Sequence, residues 1–224
     1  MSKLRDLYSK YKSCMVRIAV ETKHSDQSNG AGFHIGNGIL VTAGHVVAGN
    51  KILEVRADRY GPKTAVNEVI MSPDPKIDLA ILRTDFGRYR TDHIPIGGHL
   101  NDWIGDEFVL SAVLAMGYPR IPLSREPVLV TYEGEVAAVV DMIGEEHPYF
   151  VISPIARGGF SGGPVISEWD FLLGVVTHSC VENDKDLETG YFSLLSIEPL
   201  LQLLADNDVR PPGVEDEIWE LFKS

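Results

Sequence analysis

The feature that most constrains this chain is its punctuation. Short β-prone runs recur along its length, each interrupted by Gly, Pro, Asn or Asp. Such runs are Cys14–Val20, Gly32–Ile35, Ile39–Val41, Ile52–Arg56, Ala65–Met71 and Leu79–Arg83. The pattern continues at Phe108–Met116, Val128–Ala138, Tyr149–Ser153, Pro164–Ile166, Leu172–Thr177 and Phe192–Leu195. Gly36-Asn37-Gly38 has the composition of a hairpin turn between two of these runs. The pattern predicts an all-β domain, a barrel or a sandwich. Helical periodicity is confined to the ends. Leu4, Leu7, Tyr8 and Tyr11 share one face of residues 3–12, and Ile197–Ala205 reads as a closing helix. Val214–Phe222 is a short acidic amphipathic segment after the Pro211-Pro212-Gly213 break.

Composition narrows the partners. With 224 residues and 44% apolar content, the chain can fill one core of ordinary size. Its formal net charge of −12 argues against nucleic-acid and anionic-membrane partners. No uncharged apolar run reaches the about 18 residues of a membrane span. Residues 1–12 mix charges with apolar residues and lack the core of a secretory signal. Cys14 and Cys180 are far apart in sequence, so free thiols and a cytoplasmic location are expected. His24, His34, His93, His99, His147 and His178 show no metal-ligand spacing, and neither cysteine has a CxxC partner. Neither a metal nor a cofactor is expected.

The chemistry concentrates in three places. Arg157-Gly158-Gly159-Phe160-Ser161-Gly162-Gly163-Pro164 sets a serine among glycines, between two strand-like runs. Such a turn can present the Ser161 hydroxyl while the amides of Gly159 and Ser161 point at one spot. A serine hydroxyl is a weak nucleophile until a base takes its proton. Val41-Thr42-Ala43-Gly44-His45-Val46-Val47 places a histidine just after an apolar run. Asp78 directly abuts Leu79-Ala80-Ile81-Leu82, where a partly buried carboxylate needs a partner such as a histidine Nδ1–H. Asp74 and Asp85 are nearby competitors that read as solvated turn residues. The chain order His45, Asp78, Ser161 is that of the chymotrypsin-type triad rather than of subtilisins or α/β-hydrolases.

With these pieces the chain resembles the trypsin-like, chymotrypsin-fold serine proteases, and within them the HtrA-type bacterial branch. The resemblance rests on Gly30-Ala31-Gly32-Phe33, Val41 to Val47, Asp78 to Leu82, Gly117-Tyr118-Pro119, Phe160 to Pro164 and Leu173-Gly174-Val175-Val176-Thr177. It implies one peptidase domain over residues 1–224, built as two six-stranded antiparallel β barrels with short terminal helices. The N-terminal barrel would span about residues 14–100, the C-terminal barrel about 106–196, and a helical tail 197–224. The triad would lie between them, with Gly159 and Ser161 as the oxyanion hole.

Two departures from the family pattern carry expectations. HtrA-type proteases usually have a PDZ domain after the protease domain, and the tail here is too short for one. Digestive-type enzymes have an aspartate just before the nucleophile that receives a newly released N-terminus; here that place holds Phe160. Control by a partner or oligomer is therefore expected rather than N-terminal clipping. The resemblance also puts the base of the P1 pocket at Ile155, beside Ala156, and the cleft-lining strand end at Thr177 and His178. An uncharged base implies an apolar P1 residue, with Arg157 as the neighbour that would favour an acidic one.

The resulting expectation is a serine endopeptidase acting on proteins or peptides. The alternatives are a protease fold turned binding module, which an intact triad argues against, and an enzyme held latent in a larger stress or defence assembly. Trp219 and Phe222 mark the tail as either a docking element or a segment packed on its own barrel.

Overall fold

The computed structural model of the protein describes residues 3–57, 62–86, 92–96, 100, 104–155, 158–180 and 191–223. Helix α1 (Lys3–Tyr11) leads into β1 (Met15–Glu21), β2 (Gln27–His34) and β3 (Ile39–Ala43). A single turn of helix, α2 (Gly44–Val47), precedes β4 (Lys51–Arg56), β5 (Val66–Met71) and β6 (Leu79–Thr84). The second half contains β7 (Ala112–Gly117), β8 (Val130–Asp141), β9 (Pro148–Ile155), β10 (Pro164–Ser167), β11 (Leu172–Cys180) and β12 (Tyr191–Leu195). Helices α3 (Glu198–Asp206) and α4 (Asp216–Leu221) end the chain.

Each half is a six-stranded antiparallel sheet, and the molecule has the expected all-β, chymotrypsin-like architecture. The second six close into a barrel in the order β10-β11-β12-β9-β8-β7. The first six form a half-barrel sheet in the order β4-β1-β2-β3-β6-β5. The hairpin read from Gly36-Asn37-Gly38 joins β2 to β3, with all three residues at positive φ and Ile39 N–H donating to Gly36 O at 2.9 Å.

Strand alternation sorts the side chains into layers. On β1 and β3, Val16, Ile18, Val20 and Leu40 fill the interior of the first sheet. Their neighbours Met15, Ile39 and Val41 point the other way, into a shared layer. On β7, Val113 and Ala115 enter the closed barrel, whereas Leu114 and Met116 join the shared layer. Because β3 is buried at every position, it reads as a continuous apolar run rather than an alternating one.

The terminal helices cover that shared layer. Leu4, Leu7 and Tyr11 of α1 are buried in it. The Tyr11 hydroxyl donates to Asp170 Oδ1 at 2.6 Å, while Lys10 Nζ reaches Asp170 Oδ2 at 2.5 Å. This ties α1 to the β10–β11 turn. Burial first, then the bond to Asp170, pushes the Tyr11 phenol up to about 12, so it remains a donor. Trp219 and Phe222 are buried in the same layer, so the tail packs on its own sheets. No helix among the described residues is long and apolar enough to cross a membrane.

The first sheet also carries a charge cluster between adjacent strands. Glu54 on β4 accepts hydrogen bonds from Arg17 on β1 and from Arg56 at 3.1 Å, with Lys63 Nζ 3.2 Å away. Burial acts to raise the Glu54 pKa, but the Lys63 bond and the charges of Arg17, Arg56 and Lys63 outweigh it and hold the carboxyl below its usual value. The stability gained is therefore present above the unfolded-state pKa and is lost as pH falls through the folded one. We predict that Glu54→Gln lowers stability by about 1–2 kcal/mol at neutral pH, the scale of a hydrogen bond to a charged group. In urea titrations across pH, the gap from wild type should narrow below about pH 4, where the carboxylate is lost. A gap that stays constant or widens in acid would contradict this.

Candidate active site

His45 lies on the one-turn helix α2, which β3 delivers from the shared layer. Asp78 stands one residue before β6, the neighbour of β3, so strand pairing alone brings the two side chains together. Asp78 Oδ1 accepts the His45 backbone N–H at 2.7 Å, and Oδ2 faces His45 Nδ1 at 2.6 Å. Gly44 N–H also donates to the Asp78 carbonyl at 3.1 Å. The carboxylate thus caps the helix start and orients the ring at once. A carboxylate accepts, so Nδ1 carries the proton, and the neutral ring has an unprotonated Nε2. The histidine side chain is 51% exposed, whereas Asp78 is 13% exposed. At the other end of α2, Asn50 Nδ2 donates to the Val46 carbonyl at 3.1 Å.

Ser161 comes from the other sheet system, in the turn before β10. The turn is held from both sides. Gly163 N–H donates to Phe160 O, and Gly162 N–H donates to Val176 O on β11, both at 2.7 Å. Across the cleft, Ala31 N–H on β2 donates to the Ser161 carbonyl at 2.9 Å, and Thr42 Oγ1 donates to the Ala31 carbonyl at 2.7 Å. Gly162 has φ +80°, and a Cβ there would collide with Thr42 Oγ1, the Ala31 carbonyl and Ala43 N. Only glycine fits a left-handed residue pressed this closely on the first sheet.

Gly159 has φ +97° and lies against the backbone of Tyr118 and Pro119. Among the described residues, neither Gly159 N–H nor Ser161 N–H donates to a protein acceptor. Phe160 between them is fully buried and stacks on Tyr132, with ring centroids 5.2 Å apart. Among the described residues, no hydrogen bond joins the Ser161 hydroxyl to His45.

The other sequence candidates separate. Thr177 is buried on β11, next to the Val176 that clamps the serine turn. Ile155 ends β9 and His178 lies on β11, but their side chains are outside the described residues, as are Ala156 and Arg157. Asp74 caps a turn, accepting the backbone N–H of Lys76 at 2.9 Å, whereas Asp85, just after β6, accepts the backbone N–H of Ala65 at 2.8 Å across the β5–β6 pair. His34 is a core histidine whose ring is fully used. Nδ1–H donates to Asp92 O at 2.7 Å, and Nε2 accepts Gly38 N–H at 3.2 Å. Burial, partly offset by the Asp92 bond, lowers its pKa and keeps it neutral. Among the described residues, no three His, Cys, Asp or Glu side chains gather where they could hold a metal.

Sequence reading assigned no role to Ala31, Thr42 or Tyr118, although all three fall inside the quoted motifs. Their contacts join the two halves of the molecule, and no spacing rule encodes them.

Comparison with known proteins identifies the family and the fold. Residues 30–175 match the family model of the trypsin-like peptidase domain. The chain is 32% identical over 162 residues to the uncharacterized protein y4bJ of Sinorhizobium fredii (strain NBRC 101917 / NGR234), covering 71% of this chain and 23% of that protein. It thus spans about a quarter of the length of that curated relative. Among solved structures, the active form of the Rv3671c protease from M. tuberculosis superposes with a TM-score of 0.67 at 21% identity, covering 93% of this chain and 86% of that one. The HtrA-type protease AlgW with tripeptide gives 0.69 at 20% identity, covering 92% and 64%. The serine endoprotease from Yersinia pestis gives 0.66 at 18%, covering 91% and 67%. With the family model covering most of its length on this fold, the chain belongs to the trypsin-like peptidase family.

Proposed function

We propose that the protein is a serine endopeptidase that cleaves proteins or peptides through Ser161, His45 and Asp78. The observation that carries the reading is the two-point bond between Asp78 and His45, which commits Nδ1 of a half-exposed ring to the carboxylate and leaves Nε2 as the nitrogen that can take a proton. Ser161 Oγ attacks the scissile carbonyl carbon as His45 Nε2 takes its proton, and the carbonyl electron pair moves onto oxygen. When the carbonyl re-forms, the C–N bond breaks and His45 gives that proton to the leaving amine. Water, deprotonated by the same nitrogen, then cleaves the acyl-enzyme ester and restores the Ser161 hydroxyl. Asp78 keeps the histidine tautomer and stabilises the imidazolium. The amides of Gly159 and Ser161, unengaged among the described residues, hold the oxyanion, where one donor is typically worth about 3 kcal/mol of barrier. None of these steps calls for a metal or a cofactor.

Control of the enzyme falls to a partner or a second copy rather than to N-terminal clipping. Phe160, stacked on Tyr132 in the barrel core, supports this because it has no charge to receive a new terminus. A chain with two cysteines far apart in sequence, Cys14 of them buried, fits a reducing, cytoplasmic setting. A second reading, a latent or binding-only protease fold, is favoured by one observation: the Ser161 hydroxyl does not engage His45 among the described residues. Loose contacts of this kind are common in proteases without substrate, so the active reading is preferred.

The test is labelling with a fluorophosphonate probe. Wild type is expected to label on Ser161, Ser161→Ala not at all, and Asp78→Asn about ten-thousand-fold more slowly. Label on a different residue would sink the mechanism. Labelling that needs added cell extract would favour the latent enzyme, and none under any condition the binding module. For specificity, the uncharged Ile155 predicts an apolar P1 in a peptide-library profile. A dominant Arg, Lys or Glu at P1 would refute that assignment.

A further inference from the structure

Tyr118 is almost fully buried where β7 ends, at 5% exposure, and it bonds in two directions. Its backbone N–H donates to the Gly159 carbonyl at 2.9 Å. Its hydroxyl donates to the carbonyl of Ala57, also at 2.9 Å, 61 residues away in the first sheet system. Ala57 directly follows β4, the strand that the Glu54 cluster binds to β1. Gly159 is pressed onto the same residue: a Cβ there would lie 2.5 Å from the Tyr118 carbonyl and 2.6 Å from Pro119 Cα. From the barrel side, Gly117 lies against the Phe160 backbone and ring.

We infer that Tyr118 is a positioning residue that sets the direction of the Gly159 N–H from the opposite sheet. The inference rests on reading that N–H as an oxyanion donor. With φ at +97° and the Gly159 carbonyl fixed on Tyr118 N–H, the direction of the preceding amide follows from where Tyr118 sits. The hydroxyl bond to Ala57 fixes that place. A phenylalanine would fill the same space but would release the tether and leave the Ala57 carbonyl without this donor. Phe160 on Tyr132 secures the turn within the barrel, and Tyr118 secures it against the other sheet. The two halves then share control of one donor, so a shift between them changes the transition-state contact rather than substrate affinity.

The experiment compares Tyr118→Phe with Tyr11→Phe, which loses another buried tyrosine hydroxyl bond, at 2.6 Å to Asp170, away from the serine turn. Fluorophosphonate labelling of the full chain is resolved into kinact and KI, and Tm is recorded for both variants. Both should lose Tm to a similar extent. Only Tyr118→Phe should lose kinact, by about tenfold, with KI unchanged, because the phosphoryl oxygen occupies the oxyanion position. Wild-type kinact in Tyr118→Phe, or an equal loss in Tyr11→Phe, would overturn this inference and leave Ser161 as nucleophile untouched. No labelling of wild type would overturn the serine mechanism and this inference together.

Discussion

One backbone hydrogen bond organises the site: Ala31 N–H of the first sheet donates to the carbonyl of Ser161 at 2.9 Å. It fixes the serine turn to the sheet that carries His45 and Asp78. The shared apolar layer holds the two halves together, and this bond sets where the serine turn meets the first sheet. The surrounding contacts support this bond. Thr42 donates to the Ala31 carbonyl, Gly162 is flush against Thr42 and Ala43, and Gly162 and Gly163 bond to Val176 behind the turn. Ala43 is in turn two residues before His45, so the surface that receives the serine turn also leads into the histidine.

This arrangement explains why the shared apolar layer matters for chemistry as well as for stability. β3 and β7 send alternate side chains into it, and α1, α3 and the Trp219 tail close it. Burial holds the two halves in contact, and the few polar bonds across the contact set their register. Direct hydrogen bonds are worth about 1 kcal/mol each, so they select a geometry that packing alone leaves loose.

Much of this was legible in the sequence. Short runs separated by turn residues gave the all-β class, because each turn residue ends a strand for a local backbone reason, whereas the division into two six-stranded halves came from the family resemblance. Asp78 stood out from Asp74 and Asp85 because only it directly abuts the apolar run Leu79 to Leu82, which is buried throughout; Asp74 caps a turn, and Asp85 bonds across the β5–β6 pair. The run from Phe108 was read as strand, yet Asp106–Phe108 is a short 3-10 turn and β7 begins at Ala112. Phe108 is apolar because it packs in the closed barrel, and Leu110 at φ +67° breaks the extended backbone before the strand starts. Ala31, Thr42 and Tyr118 were not legible as site residues. Their partners lie in the opposite half or across a strand pair, and sequence pattern records only local periodicity. Closure also differs between the halves: a strand pattern sets the number of strands, whereas closing a barrel depends on stagger, which the pattern does not encode.

The central claim is that docking of the two halves brings the Ser161 hydroxyl, the Gly159 and Ser161 amides and the His45–Asp78 pair to one reacting atom. A crystal structure of the fluorophosphonate adduct tests it most directly. The account predicts phosphorus bonded to Ser161 Oγ, with its oxygen within about 2.7–3.1 Å of both Gly159 N and Ser161 N, and the Asp78–His45 bonds retained. An adduct oxygen turned to solvent, away from both amides, would contradict it.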